Sequence, residues 1–178
     1  MNRFHAIPIL SLSLLLCACG KSQSASGQQS DVLNACELLT AEDIQAVTGQ
    51  AMKPGKLKHG TTCYFESMET QGPVDRPKYT WWLQRLHHAY PLEQEVQQYL
   101  DGMREGLGED AKTLVSKPVE GVGDRAFWQS YYNVNILVVF RSAGGKATDF
   151  ISVQPDFEGE EQALEQAKAL ALRALVRL

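Results

Sequence analysis

This chain has no block of basic residues, no second long apolar run and no catalytic signature, and each absence removes a class of function. Its 17 Lys and Arg are scattered among 21 Asp and Glu, which makes nucleic acid a poor match as a partner. There is no G-x-S-x-G, H-E-x-x-H or Walker sequence. Gly121-Val122-Gly123 lacks the third glycine and the strand-to-helix setting of a dinucleotide loop, and reads as a turn. His87 and His88 are neighbours on an expected strand, so they leave on opposite faces and cannot hold one ion together. Glu158, Glu160 and Glu161 could be drawn as calcium ligands, but acidic residues gather at a helix start without any metal. We therefore assign no catalytic residue, no metal and no cofactor.

What is present begins at the N-terminus. Arg3 and an apolar run from Ile7 to Leu16 precede Leu16-Cys17-Ala18-Cys19. The run is too short for a permanent membrane span and suits a signal peptide. A small residue followed by cysteine resembles the bacterial lipobox. That resemblance implies cleavage after residue 18 and a lipid anchor, palmitate included, on Cys19. The alternative is an ordinary secretory peptide cut nearby, which would leave Cys19 a free thiol in an oxidising space. Gly20, where inner-membrane lipoproteins often carry Asp, favours the outer membrane, facing the periplasm. Loss of residues 1–18 removes one basic residue, leaving 16 basic against 21 acidic and a formal charge of −5.

Residues 20–30 (GKSQSASGQQS) contain no large apolar side chain and are expected to form a flexible tether reaching about 20 Å. Residues 32–178 are long enough for one ordinary core and are expected to form a single domain. With Cys17 removed and Cys19 acylated, Cys36 and Cys63 remain as an even pair. In the cell envelope such a pair is expected to bond, since neither a C-x-x-C nor a zinc-like histidine spacing is present.

The domain reads as α+β, an antiparallel sheet with helices packed on one face. Thr40 and Asp43 form a capping box, Leu39 and Ile44 a hydrophobic staple, and Gly49 a stop, which predicts a short helix. Segments 61–68 and 78–86 read as paired strands. Apolar residues at helical spacing predict a helix over 91–106, with Gly102 inside it. Segments 112–119, 125–132, 134–141 and 147–154 are extended, with turns between them, and describe a meander. The third of these is apolar on nearly both faces and should be central. A helix over 160–178, with Leu164, Ala167, Ala171, Ala174, Leu175 and Leu178 in one stripe, should lie across the sheet.

Strand parity sends Trp81 and Trp82 to opposite faces. Trp81, beside Tyr79 and Leu83, is expected in the core, and Trp82, beside Thr80 and Gln84, on the open face. Trp82, Trp128, Tyr131 and Tyr132 are more aromatics than a one-sided sheet needs, so they are candidates for a binding surface. Core packing and cross-strand pairs are the alternative. Two functions stay open. One is a non-enzymatic binding domain, such as an inhibitor or immunity protein or an accessory of an envelope complex, partnered by the membrane and by a periplasmic protein. The other is a small periplasmic hydrolase or transferase with a dispersed site.

Cys36-x-Leu38-Leu39-Thr40 with Asp43 and Gly49, Cys63-x-Phe65, and Gly121-Val122-Gly123-Asp124-x-Ala126 together resemble a group of bacterial envelope lipoproteins that carry a domain of unknown function. The resemblance implies a small α+β domain similar to the PsbP-like fold and a disulfide at the two cysteines. It brings no catalytic residues with it.

Overall fold

Thr40 closes the capping box that its sequence announces. Its Oγ1 accepts from the Asp43 N–H at 3.2 Å, and the Asp43 carboxylate accepts from the Thr40 N–H at 2.9 Å. The computed structural model describes residues 34–71, 76–87, 90–132, 134–155 and 160–178. The expectations for the signal peptide, Cys19, the tether, His88, Asn133 and Glu158 lie outside the described residues. The capping box starts α2 (Ala41–Thr48), which Gly49 ends in the left-handed region at φ 74°. Leu39 and Ile44, the staple pair, are both buried. A four-residue helix not foreseen from the sequence, α1 (Ala35–Leu38), precedes α2 and buries Ala35 and Leu38.

Seven strands form one antiparallel sheet. They are β1 (Lys56–Lys58), β2 (Thr62–Glu66), β5 (Thr80–His87), β6 (Val115–Pro118), β7 (Arg125–Tyr131), β8 (Val134–Ala143) and β9 (Lys146–Pro155). Their spatial order is β1-β2-β5-β9-β8-β7-β6. A separate two-residue ladder, β3 (Thr70–Gln71) with β4 (Arg76–Pro77), lies between β2 and β5 in the chain. The expected meander is present as β6 to β9, and β5 joins it through β9. The Arg85 guanidinium reaches Asp149 at 2.7 Å across that junction, with both side chains about nine-tenths buried.

The strand expected to be central, β8, is interior, buried on both faces from Leu137 to Phe140. Its two faces meet different helices, which corrects the expectation that helices cover one face only. On the first face Leu137 and Val139 join Cys63, Phe65, Trp81, Leu83, Trp128, Ile151 and Val153 beneath α1, α2 and α4 (Glu160–Val176). On the second face Ile136, Val138 and Phe140 pack with Leu86 and Phe127 against Leu92, Val96, Tyr99 and Leu100 of α3 (Leu92–Leu107). A strand apolar on both faces calls for cover on both, so this was within reach of the sequence. α3 runs through Gly102 unbroken and passes into a 3₁₀ turn over Gly108–Thr113. α4 buries Ala163, Ala167, Leu170, Ala171 and Ala174, and its alanines allow a close approach to the sheet.

Two local devices hold the layers together. Cys36 and Cys63 are bonded, with Cα atoms 4.9 Å apart, joining α1 to β2. Gly55 passes against that bond. A β-carbon there would stand 2.5 Å from the Cys63 sulfur and 2.7 Å from the Phe65 ring. The second device is the turn at Gly121-Val122-Gly123-Asp124. Val122 plugs the core at 2% exposure, and the Asp124 carboxylate accepts from both the N–H and the hydroxyl of Ser142. Gly123 sits at φ 61°, where a β-carbon would lie 2.7 Å from the Phe140 carbonyl oxygen, so only glycine fits.

Asp43 has a second task. Its carboxylate receives Arg173 from the last turn of α4 and Arg177 from just beyond it, and Arg177 also donates to the Leu38 carbonyl at 2.8 Å. Burial alone would raise this carboxyl, but the Arg177 hydrogen bond, the Thr40 N–H and the Arg177 charge outweigh it and hold the pKa at about 2. The native pKa is therefore below the unfolded one. The resulting stability is fully present above about pH 4 and drains away as pH falls through 2. We expect Asp43→Asn to cost about 2 kcal/mol at neutral pH and to flatten the acid limb of the stability curve, as measured by urea melts between pH 2 and 7.

Candidate functional site

α3 covers only part of the second face of the sheet. Across β1, β2, β5 and β9 the pairing register lines up Lys56, Tyr64, Trp82 and Gln154 in one row, and Lys58, Thr62, Gln84 and Ser152 in the next. Directly opposed residues share a face. These two rows therefore form one bay. Tyr64, Trp82, Gln84, Ser152 and Gln154 are all half-buried.

At the centre of the bay the Tyr64 and Trp82 rings meet with centroids 4.4 Å apart and planes tilted by 53°. The Lys58 ammonium lies 4.1 Å from the tyrosine ring centre and 4.9 Å from that of the tryptophan. A cation shared between two ring faces is drawn by their quadrupoles. Lys53 and Lys56 both turn to Glu66, at 3.5 and 3.7 Å. The bay thus presents an aromatic pair topped by positive charge and flanked by two glutamine amides.

The four aromatics expected to share a surface do not converge. Trp82 is in the bay, and its neighbour Trp81 is 1% exposed on the other face, where the indole N–H donates to Gln50 Oε1 at 3.1 Å. Trp128 corrects the expectation. It points to the same face as Trp81 and is buried at 1% exposure in the main core. Tyr131 ends β7 and Tyr132 follows it in a turn, three strand spacings or about 14 Å from β5. Tyr131 lies near Tyr99 of α3, whose hydroxyl donates to the buried Gln129 Oε1 at 2.7 Å. Burial, reinforced by Tyr131, pushes the Tyr99 phenol well above its usual pKa. Tyr132 is exposed, with φ 50°, and its hydrogen bond to Asp110 raises its phenol pKa. These two tyrosines belong to the α3 end of the domain and not to the bay.

Sequence reasoning missed Tyr64, Lys58 and Gln154 as partners of Trp82. Parity alone could place Tyr64 outward, between inward Cys63 and Phe65. Its meeting with Trp82 depends on the β2–β5 register, and Lys58 sits on a three-residue edge strand too short to carry a pattern. Among the described residues no helix is long and apolar enough to cross a membrane, and no three His, Cys, Asp or Glu side chains are grouped to hold a metal. Compared with protein-family models, curated proteins and solved structures, the chain matches none.

Proposed function

We propose that this is a lipid-anchored bacterial envelope protein whose domain is a non-enzymatic binding module, docking a periplasmic protein through the bay around Trp82. The observation that carries the reading is the Trp82–Tyr64–Lys58 cluster on a stretch of the sheet's second face away from α3. Trp and Tyr dominate protein hot spots because they bring large rigid area and a polar handle at small entropic cost. Rings tilted by 53° beneath an ammonium make a poor flat platform for a sugar and a good socket for a protein side chain with a carboxylate beside it. The lipobox, the tether and the resemblance to envelope lipoproteins support the location, with Cys19 carrying the lipid at the outer membrane.

The test is capture from envelope extracts with the tagged chain processed in a bacterial host. Wild-type protein should carry acyl chains on Cys19 by mass spectrometry and bring down a stoichiometric protein. Lys58→Glu and Trp82→Ala should lose that protein, with the acyl chains and the circular dichroism spectrum unchanged. A partner retained by both variants overturns the bay as the docking site, and an unacylated Cys19 in the wild type overturns the anchor.

A further inference from the structure

The two edges of the seven-stranded sheet are not alike. At the β6 edge the Val119 N–H donates to the Ala126 carbonyl at 2.9 Å, so by alternation Lys117 and Val115 turn their backbone groups to β7, and Ser116 and Pro118 turn theirs outward. Pro118 has no N–H to offer there, which is one way natural sheets close an edge. At the other edge β1 contains no proline. On β2 the Thr61 carbonyl accepts from the Arg85 N–H and the Ser67 N–H donates to the Tyr79 carbonyl, so Cys63 and Phe65 between them also face β5, while Thr62, Tyr64 and Glu66 face β1. The Glu66 carbonyl accordingly accepts from the Lys53 N–H at 2.8 Å. Lys56 and Lys58, opposite Tyr64 and Thr62, complete that ladder, and the N–H and C=O of Leu57 between them turn away from the sheet. Among the described residues neither group meets a partner. The Leu57 side chain, on the first face, is 47% exposed, and Lys56 and Lys58 stand on the second face beside the bay. Lys53 and Lys56 share the single carboxylate of Glu66 while Lys58 rests on the rings, so this edge is positive in a chain that is acidic as a whole. A second copy pairing antiparallel through Leu57 would set Lys56 of one copy against Lys58 of the other, and like charges directly opposed disfavour that dimer.

We propose that the protein partner docks by adding a strand to β1, through an extended segment in which an apolar residue stands between two acidic ones; this rests on the bay as the docking site and says how the partner enters it. The apolar residue exchanges N–H and C=O bonds with Leu57 and lays its side chain beside it on the first face. The two acidic side chains fall on the second face, opposite Lys56 and Lys58 at the rim of the bay. In strand addition the main-chain bonds supply affinity and the alternate side chains supply specificity. The order of the residues therefore matters as well as their charge, because adjacent acidic residues would leave a strand on opposite faces and only one could meet a lysine.

The experiment titrates blocked peptides into the full mature chain labelled with ¹⁵N. The peptide TVEVEVT should shift the Leu57 and Lys58 amide signals saturably and slow hydrogen exchange at the Leu57 N–H. TVVEEVT, with the same composition, should bind roughly tenfold more weakly. Lys56→Glu combined with Lys58→Glu should transfer the preference to TVKVKVT. Leu57→Pro removes the outward N–H and no bond to β2, and should abolish binding with the spectrum still dispersed. Should Leu57→Pro not fold, TVEVEVT methylated on the nitrogen of its central valine supplies the same test on the wild-type chain, because it cannot donate to the Leu57 carbonyl. No saturable shift at millimolar peptide, equal affinity for TVVEEVT, or undiminished binding of the methylated peptide overturns strand addition. So does a dimer in sedimentation velocity, or binding to phosphatidylglycerol vesicles in place of the peptide, since each gives the edge to another occupant. Capture from envelope extracts separates this proposal from the bay: a partner lost by Trp82→Ala and kept by Leu57→Pro leaves the bay standing and overturns the added strand.

Discussion

Trp81→Ala is expected to lower the unfolding free energy by about 3 to 5 kcal/mol, while Trp82→Ala, one residue along the same strand, should cost about 1 kcal/mol. Trp81 is 1% exposed, surrounded by the core beneath α1 and α4, and its indole N–H holds Gln50. Its removal leaves a cavity and strips Gln50 Oε1 of its donor. Trp82 loses only a half-exposed ring, its contact with Tyr64 and the company of Lys58. Guanidinium melts of the two variants provide an internal comparison, since strand propensity and position are nearly identical. Equal losses would mean that Trp82 is structural and that the bay is not a free surface.

The second large effect is loss of the Cys36–Cys63 bond. Its 27-residue separation predicts a stabilisation of about 3.5 kcal/mol from the reduced freedom of the unfolded chain, on the loop-entropy estimate. Replacing both cysteines by Ala should therefore lower the unfolding free energy by that amount, read as a lower denaturant midpoint. The bond joins α1 to β2, near the sheet edge formed by β1, so hydrogen exchange in Lys56–Glu66 should accelerate more than in β8. Uniform acceleration across all strands would show instead that the domain opens only as a whole.

How much of this was legible in the sequence follows from where the determinants are. Thr40, Asp43 and Gly49 act within a few residues of themselves, so the α2 boundaries could be read directly. Period-two alternation fixed the opposite directions of Trp81 and Trp82 without any knowledge of neighbours. Trp128 could not be placed this way. Its strand, RAFWQSY, has aromatic or small residues on both faces, and which face meets α4 depends on the β7–β8 register. The bay was illegible for the same reason, since Tyr64 and Trp82 are brought together by pairing across 18 residues of chain that include the short β3–β4 ladder. α3 taking the second face was hinted at by the doubly apolar β8. The helix stripe itself does not say which face it will choose.

The strand order has a consequence for when this protein can become itself. β5 pairs with β2 and β9, so the half of the sheet built from the first strands has no second neighbour until Lys146–Pro155 has been made. Arg173 and Arg177 then close onto Asp43 from the end of α4. Until β9 and α4 are in place the sheet keeps an open edge at β5 and α2 lacks its latch. Pairing between segments so far apart in the sequence means that large loops must close before these contacts reward them, which is the costly order in which to build a sheet.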